Sequence, residues 1–205
     1  MSIAPQLASS LFILASMDRL WTPWRYEYVS NADTDKRKGV PSELSAWPDD
    51  TGCVFCNLLG ASAYALEQGS MSSDEADRAA NIIYRDRRCF ICLNSYPYNS
   101  GHAMIVPYQH TDKLCALDGA IASEMMTLAQ RFEGTLRKIY SPDGINLGMN
   151  LGKAAGAGVA GHVHMHMLPR WVGDTNFMTV VGETRVLPES LKTTWKRLRE
   201  EFRHK

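Results

Sequence analysis

The sequence predicts an α+β fold, in which a mostly antiparallel five-stranded sheet carries one long helix packed on it. Short segments of strand composition lie on both sides of a single long amphipathic stretch. Most connections between neighbouring strands are too short for the crossovers that parallel pairing requires. A second amphipathic stretch close to the C-terminus predicts one further helix.

The strands are predicted from short apolar or alternating segments bounded by turn residues. The first two lie in residues 81–94 and are joined by a turn near Asp86, and HAMIVP at 102–107 is the third. INLGMN at 145–150 predicts the fourth strand. A histidine-rich segment predicts the fifth, and we expect Pro169 to end it, since proline cannot donate to a sheet ladder.

The long helix is predicted over Asp118–Tyr140, and turn residues at 141–144 end it. Its apolar residues recur at spacings of three and four and form one stripe: Ile121, Met125, Leu128, Phe132, Leu136 and Ile139. The C-terminal helix has a stripe of the same kind: Leu191, Trp195, Leu198 and Phe202. We expect the Lys and Arg residues between these positions to form a solvated face. A short helix is also expected near Ser73–Ala80.

The charge balance argues against a nucleic-acid polymer as partner. Twenty-two basic and twenty-two acidic side chains cancel, whereas nucleic-acid binders usually carry a basic excess. No apolar run reaches the roughly 20 residues of a membrane span, and the N-terminal residues lack the basic start of a signal peptide. Five cysteines, an odd number, are more typical of a reducing compartment than of a disulfide framework. We therefore predict a cytoplasmic location.

Histidines alternate with apolar residues in GHVHMHMLPRW, at residues 161–171. Since side chains alternate along a strand, His162, His164 and His166 are expected on one face. The residues between them suit a core beneath the long helix: Val163, Met165 and Met167. The sequence therefore predicts that the histidines line an accessible groove.

Three interpretations of the histidine pattern are open. The pattern can be a strand whose polar face happens to carry histidine. It can be a catalytic metal site, although the nearest following acid is Asp174, beyond Pro169, and the preceding strand contains none. The favoured interpretation is nucleophilic catalysis, because a neutral imidazole nitrogen is a good nucleophile and can attack phosphorus. Flanking histidines can then hold phosphate oxygens or protonate the leaving group.

The segment HVHMHML resembles the signature of the histidine triad (HIT) superfamily of nucleotide hydrolases and transferases. Other blocks are similar to its branch of diadenosine tetraphosphate phosphorylases and related bacterial proteins: RLWTPWRYEYV, LNSYPYNSGHAMIVPYQH, GINLGMNLG and the residues after the triad. The resemblance runs from about Arg19 to Val181 and is weak over 30–80. It implies a HIT-like fold.

The chain is interpreted as one domain with appended segments. Residues 1–16 form an N-terminal extension that we expect to be non-essential. Residues 17–80 form an N-terminal segment with a surface linker and a CxxC knuckle. The HIT catalytic core is assigned to 81–181 and the C-terminal helix to 182–205.

The resemblance implies roles for several residues. The middle histidine is the nucleophile in this superfamily, so His164 would attack the α-phosphorus and form a nucleotidyl-histidine that water or inorganic phosphate releases. His166 would contact the phosphate or the bridging oxygen. Asn94 is implied near the ribose, Asn150 near a phosphate and Trp171 near the bound dinucleotide. A turn-forming role for the asparagines and a core or interface position for the tryptophan are the alternatives.

The loop GKAAGAGVAG, at 152–161, contains small residues that let backbone N–H groups approach an anion, or that merely make the loop flexible. Its candidate phosphate contacts are Lys153, Gly156 and Gly158. Many relatives carry a Ser, Thr or Gln shortly before the triad, where it serves the leaving group. Residues 157–159 offer no such side chain here, so leaving-group protonation falls to His166, a water or backbone groups.

Cys53 and Cys56 have the spacing of a zinc knuckle, with a reduced, metal-free pair as the alternative. Zinc-bearing relatives supply one histidine just after the third strand and one from the first triad position, which implies His110 and His162. His102 is the main competitor of His110. This Cys2His2 set leaves no open position and predicts a structural zinc.

The remaining cysteines are expected to be small buried apolar residues. Cys89 and Cys92 also have CxxC spacing, but positions three apart in a strand point to opposite faces and cannot bind one metal. Cys115 is expected to be packed as well.

The expected activity is that of a nucleotidyl hydrolase or transferase, which cleaves dinucleoside polyphosphates such as diadenosine tetraphosphate by hydrolysis or phosphorolysis. The implied partners are an adenine dinucleotide, inorganic phosphate and Mg²⁺ that accompanies the substrate. Relatives are homodimers in which two sheets join edge to edge. Two alternatives are a triad hydrolase of nucleoside phosphoramidates or aminoacyl-adenylates, and a zinc-stabilised adenine-nucleotide sensor with little turnover.

Overall fold

The strands form one sheet in the order β1-β2-β3-β5-β4, and every neighbouring pair is antiparallel. They are β1 (Ile82–Arg85), β2 (Cys89–Leu93), β3 (Ala103–Pro107), β4 (Gly144–Met149) and β5 (Met165–Arg170). The structure is a computed structural model that describes residues 39–174 and 189–203. The extension 1–16 and the RLWTPWRYEYV block lie outside the described residues. The predicted five-stranded antiparallel sheet is confirmed.

The fifth strand begins and ends later than the sequence predicts. β5 starts at Met165, so the first two triad histidines precede it. The prediction that Pro169 ends the strand is wrong, because Pro169 pairs with Ile145 inside the β4–β5 ladder. Its carbonyl accepts a hydrogen bond at 3.2 Å from Asn99, which lies in the loop leading into β3, on the opposite side of β5 from β4. The Pro169 nitrogen points to the same side, so its missing N–H costs no bond to β4.

The described residues include the following helices: α1 (Val54–Glu67), α2 (Ser73–Ala79), α3 (Gly119–Tyr140) and α4 (Leu191–Arg203). The long predicted helix is confirmed as α3. Asp118 caps its start by accepting a bond from the Ala120 N–H at 2.7 Å, and Ser141 ends it in a left-handed conformation with φ 44°. No described helix combines the length and apolar character that a membrane span needs.

α1 lies where the sequence indicates only a linker and a polar stretch. Its small residues weaken the helical pattern, but they serve packing. A Cβ on Gly60 would lie 2.6 Å from the Trp47 ring, so only glycine lets this ring approach the helix. Trp47, Leu44 and Phe55 belong to a buried cluster against the sheet. Both faces of the sheet are therefore covered, whereas the sequence indicates a helix on one face.

The two apolar clusters lie on opposite faces of the sheet. One contains Cys89 with residues of α3 and α4, and the other contains Cys92 with residues of the N-terminal segment. The expected burial of these two cysteines on opposite faces is confirmed, and burial raises the pKa of each thiol to about 12. The expectation that Cys115 is packed is wrong. It is exposed in the 3₁₀ turn Leu114–Ala116.

α4 carries a buried charge at a position where the pattern places a solvated side chain. Arg199 is 5% exposed and donates to the Ile83 carbonyl at 2.8 Å. Its guanidinium also pairs with Asp77 at 2.8 Å and with Asp74 at 2.7 Å. These contacts join α4 to β1 and α2. The expectation of a fully solvated basic face is wrong at Arg199.

Replacing Arg199 with methionine should destabilise the fold by about 2 kcal/mol, because it removes one of the two cations that compensate the buried Asp77 carboxylate and leaves only Arg85. Urea unfolding measures this change. Lys196→Met on the same helix is the matched control, since the Lys196 side chain is 73% exposed, and we expect its stability to stay within about 0.5 kcal/mol of wild type. Equal stabilities of the two variants would contradict the assignment.

Candidate active site and metal centre

The two CxxC thiols lie at the start of α1, not on a knuckle within a linker. Cys53 is the N-cap residue and Cys56 lies in the first turn. The preceding loop is held by the buried Asn57, whose side-chain oxygen accepts from the Thr51 N–H at 2.7 Å and whose amide donates to Asp50 at 2.6 Å. The free N–H groups and dipole of a helix start favour negative charge, but burial and the neighbouring Cys53 raise the pKa of the Cys56 thiol to about 11, so a bound cation would be needed to stabilise its thiolate.

The predicted metal ligands come together. The ligand atoms of Cys53, Cys56, His110 and His162 all lie within 4.8 Å of one another. The two Nδ1 atoms are 3.3 Å apart, and the Cys53 and Cys56 sulfurs lie 3.3 and 3.5 Å from Nδ1 of His162 and His110 respectively. Tetrahedral zinc bond lengths require about 3.3 Å between two nitrogens and about 3.6 Å between nitrogen and sulfur. These four side chains could hold one metal ion.

The surroundings of His162 keep Nδ1 available as a ligand. Its Nε2–H donates to the Pro107 carbonyl at 2.9 Å, which leaves the lone pair on Nδ1. Burial lowers the pKa of His162 to about 4, so the ring is neutral near pH 7. A bond of 2.8 Å from the Val163 N–H to the Thr111 carbonyl holds the His110 segment beside the triad. His102, the competitor for this role, instead contacts His166.

The triad histidines are less accessible than the alternation of side chains predicts. His162 is fully buried, His164 is 3% exposed and His166 is half-buried. The alternation itself is confirmed, since Met165 and Met167 lie in the core beneath α3 and α4. The expected accessible groove is wrong for the first two histidines, because α1 packs on that face.

The His164 ring is held in one orientation. Its Nδ1–H donates to the His162 carbonyl at 2.8 Å, so Nε2 carries the lone pair. The rings of Phe55 and His166 pack against it, with centroids at 5.1 and 4.8 Å. Burial lowers the pKa of His164, which keeps the ring neutral. Two side-chain polar atoms of the described residues are fully buried without a hydrogen-bond partner: Ser100 Oγ and Arg199 Nε. Nε2 of His164 is not one of these atoms.

His166 is held in the opposite tautomer by a residue that the sequence argument did not assign to the active site. The Tyr98 N–H donates to Nδ1 of His102 at 3.1 Å, so the His102 proton is on Nε2. That Nε2 lies 3.0 Å from Nδ1 of His166 and donates to it. His166 therefore carries its own proton on Nε2. The available signal was the strand order, since β3 pairs with β5 and places His102 and His166 on one face.

Gly101 fixes the approach of His102 to the triad. Its φ of +83° is a conformation that favours glycine. A Cβ at this position would also lie 2.8 Å from the Tyr140 ring and 3.2 Å from Pro169. The chain thus turns tightly against α3 and β5 just before His102.

The proposed nucleotide contacts lie at three places. The Asn94 amide is 3.5 Å from Nε2 of His102, beside the triad. Asn150 follows β4, next to Gly156 in the glycine-rich loop, where Lys153 is exposed. The half-buried Trp171 follows β5, and its ring contacts Tyr140 edge to face at 6.2 Å. The backbone of this turn is tied by the Trp171 N–H to the Asp174 carboxylate.

Comparison with known proteins agrees with this geometry. Residues 75–172 match the HIT domain. The chain is 33% identical over 186 residues to the AP-4-A phosphorylase of Mycobacterium tuberculosis, which covers 91% of this chain and 85% of that protein. A crystal structure of a Zn-bound histidine triad family protein from Mycobacterium smegmatis aligns with a TM-score of 0.53 at 27% identity, over 74% of this chain and 94% of that one.

A hypothetical histidine triad nucleotide-binding protein from Sulfolobus tokodaii aligns with a TM-score of 0.53 at 22% identity, over 74% of this chain and 93% of that one, which supports the fold alone. An antiparallel five-stranded sheet, with three alternating histidines around the start of β5, defines a histidine triad domain. The chain belongs to the HIT family.

The hydrogen-bond geometry predicts that His166 is an Nε2–H imidazole. In His102→Phe the donor to Nδ1 is lost, so we expect His166 to populate both tautomers. Two-bond ¹H–¹⁵N NMR spectra of the imidazoles measure this change. The His164 signals in the same spectra are the internal control and should stay those of an Nδ1–H ring. An unchanged His166 pattern in the variant would contradict the hydrogen bond from His102 to His166.

Proposed function

We propose that the protein is a nucleotidyl hydrolase or transferase that cleaves dinucleoside polyphosphates through a covalent intermediate on His164. The complementary protonation of two adjacent imidazoles carries this proposal. Nε2 of His164 has a lone pair, because Nδ1–H donates to the His162 carbonyl. Nε2 of His166 has a proton, because Nδ1 accepts from His102. The similarity to an AP-4-A phosphorylase supports a substrate such as diadenosine tetraphosphate.

The proposed reaction has two steps. Nε2 of His164 attacks the α-phosphorus and forms a P–N bond. The bond from this phosphorus to the bridging oxygen breaks, the leaving nucleotide takes the electron pair, and the Nε2–H of His166 donates a hydrogen bond to that oxygen. Water or inorganic phosphate then attacks the phosphorus of the nucleotidyl-histidine, the P–N bond breaks, and the proton that the acceptor loses passes to solvent. His166 is the proposed donor to the leaving oxygen because residues 157–159 are Ala, Gly and Val.

The substrate contacts are part of the proposal. We assign the ribose to Asn94, because its amide lies beside His102 and therefore beside the triad. The phosphates are assigned to the loop after β4: Asn150, Lys153, Gly156 and Gly158. Trp171 is assigned to a base, because an indole ring at the end of β5 offers a flat stacking surface.

Nε2 is the accessible part of the His164 ring. The residue is only 3% exposed, but Nε2 has no hydrogen-bond partner among the described residues and is not one of their fully buried unpartnered atoms. We propose that nucleotide binding widens the site on the side of the half-buried His166. Because burial lowers the pKa of His164, Nε2 keeps its lone pair near pH 7, and no proton has to be removed before attack.

We propose zinc as the metal of the Cys2His2 site, with a structural role. The spacing of the ligand atoms fits tetrahedral zinc, and two sulfurs with two nitrogens are ligands that zinc favours. The similarity to a Zn-bound histidine triad protein supports this choice. The metal would join α1 to the triad segment, and all four positions of a tetrahedral ion would be filled by protein.

The other expected partners stay predictions. Mg²⁺ would enter with the substrate phosphates, and inorganic phosphate would be the acceptor in phosphorolysis. A homodimer would form through the outer edge of β4, the last strand in the sheet order, where Leu147 is 47% exposed. A cytoplasmic location also stays a prediction.

Incubation with diadenosine tetraphosphate, with and without inorganic phosphate, tests the activity. ADP plus ATP formed only with phosphate indicates phosphorolysis, and AMP plus ATP indicates hydrolysis. We expect His164→Ala to lower turnover by roughly a thousandfold or more while nucleotide binding largely survives, as expected for loss of a nucleophile.

Near-normal turnover of His164→Ala would remove this residue from the nucleophile role. Saturable binding by the wild-type protein without any product would support the sensor alternative, and cleavage of nucleoside phosphoramidates alone would support the other hydrolase. His110→Ala is not a suitable control, because it changes the metal site. Thr127→Ala, on the exposed side of α3, should turn over like wild type.

The metal site predicts about one zinc per chain after purification, and loss of this zinc in the Cys53→Ser, Cys56→Ser variant, because both sulfurs are ligands. Elemental analysis measures the content, and Co²⁺ substitution gives the spectrum of a tetrahedral S2N2 site. Cys115→Ser is the matched control and should keep its metal, since Cys115 is exposed and outside the cluster. Unchanged metal content in the double variant would exclude these ligands.

A further inference from the structure

We propose that Phe55, which lies between the two metal-binding cysteines, is a positioning residue that holds the His164 ring in the orientation for attack. This inference rests on the proposed function, since it concerns the same nucleophile. It assigns to the CVFC segment a role beyond metal binding. The segment would set the direction of Nε2 of His164.

The contacts of Phe55 single it out among the buried aromatic residues. The ring is 2% exposed, and it meets two triad histidines at once. Its centroid lies 5.4 Å from that of His162 in an edge-to-face arrangement at 80°, and 5.1 Å from that of His164 at 55°. Both distances are within the range of aromatic pairs that interact favourably.

The His164 ring needs such a contact because it has few polar restraints. The bond from Nδ1–H to the His162 carbonyl is its one hydrogen bond among the described residues. A single bond near the ring edge fixes a distance but leaves the tilt of the ring plane open. Packing must fix that tilt, and the packing rings are Phe55 and His166.

The position of Phe55 is itself fixed by its neighbours in sequence. Cys53 and Cys56 lie at the start of α1, within reach of the two histidine ligands. Phe55 belongs to the first turn between them and also packs into the cluster with Leu44 and Trp47. Its side chain is therefore held from both sides, which a positioning residue requires.

The test compares Phe55→Leu with Phe90→Leu. Phe90 is fully buried in the same cluster, but it stacks on Tyr108, so it controls for the general effect of a smaller core side chain. We expect similar losses of thermal stability in both variants. Only Phe55→Leu should lower kcat for diadenosine tetraphosphate, by about tenfold or more, with KM unchanged, because a misdirected nucleophile reacts slowly from a normally bound substrate.

A spectroscopic readout does not depend on turnover. In NMR spectra, the NOEs between the ring protons of His164 and His166 should be those of the wild type in Phe90→Leu and should be weakened by averaging in Phe55→Leu, because the His164 ring then samples several tilts. Wild-type NOEs in Phe55→Leu would overturn the inference even if the wild-type protein cleaves no dinucleotide. A raised KM with unchanged kcat would also overturn it, because it would make Phe55 a nucleotide contact.

Discussion

The chemistry assigned to this protein depends on one hydrogen bond, from Nδ1–H of His164 to the carbonyl of His162. It places the lone pair of a neutral imidazole on Nε2, the nitrogen that can meet a phosphorus atom. The same residue, His162, offers its own Nδ1 to the Cys2His2 site. The backbone of one residue thus orients the nucleophile, while its side chain joins the triad to α1.

The second half of the active site depends on the pairing of β3 with β5. Met104 lies opposite His166 in that ladder, which brings the start of β3 to the triad. Gly101 turns the chain against Tyr140 and Pro169, and His102 then reaches His166. The result is two neighbouring imidazoles with opposite tautomers: Nε2 of His164 has a lone pair for attack on phosphorus, and Nε2–H of His166 can donate a hydrogen bond to a phosphate oxygen. Neither property requires a charged histidine.

Much of this arrangement could be predicted from the sequence where a pattern is local. Three local patterns were sufficient to predict the antiparallel sheet and α3: the alternation of the triad, the apolar stripe of the long helix and the short connections between strands. The pairing of Cys53 and Cys56 with His110 and His162 came from a resemblance, because spacing alone cannot bring residues 53 and 162 together. Cys89 and Cys92 were placed correctly, since strand geometry alone decides which way they point.

Predictions that depend on tertiary packing were wrong or missing. The burial of His164 follows from α1, whose small residues hide its helical pattern and whose Phe55 covers the triad. Arg199 has the sequence pattern of a solvated residue but is buried against Asp77 of a distant helix. Pro169 continues a strand because its nitrogen faces away from β4, which no local signal indicates. The contact of His102 with His166 could be predicted only if the pairing of β3 with β5 were known.

The central claim is that Nε2 of His164 becomes bonded to phosphorus. Rapid acid-free quenching of the protein with diadenosine tetraphosphate, followed by proteolysis and mass spectrometry, tests this most directly. We expect an adenylyl group on the peptide that contains residues 161–170, localised to His164 by fragmentation, and no such group in His164→Ala. A nucleotidyl group on any other residue, or steady turnover with no labelled peptide at the earliest times, would contradict it.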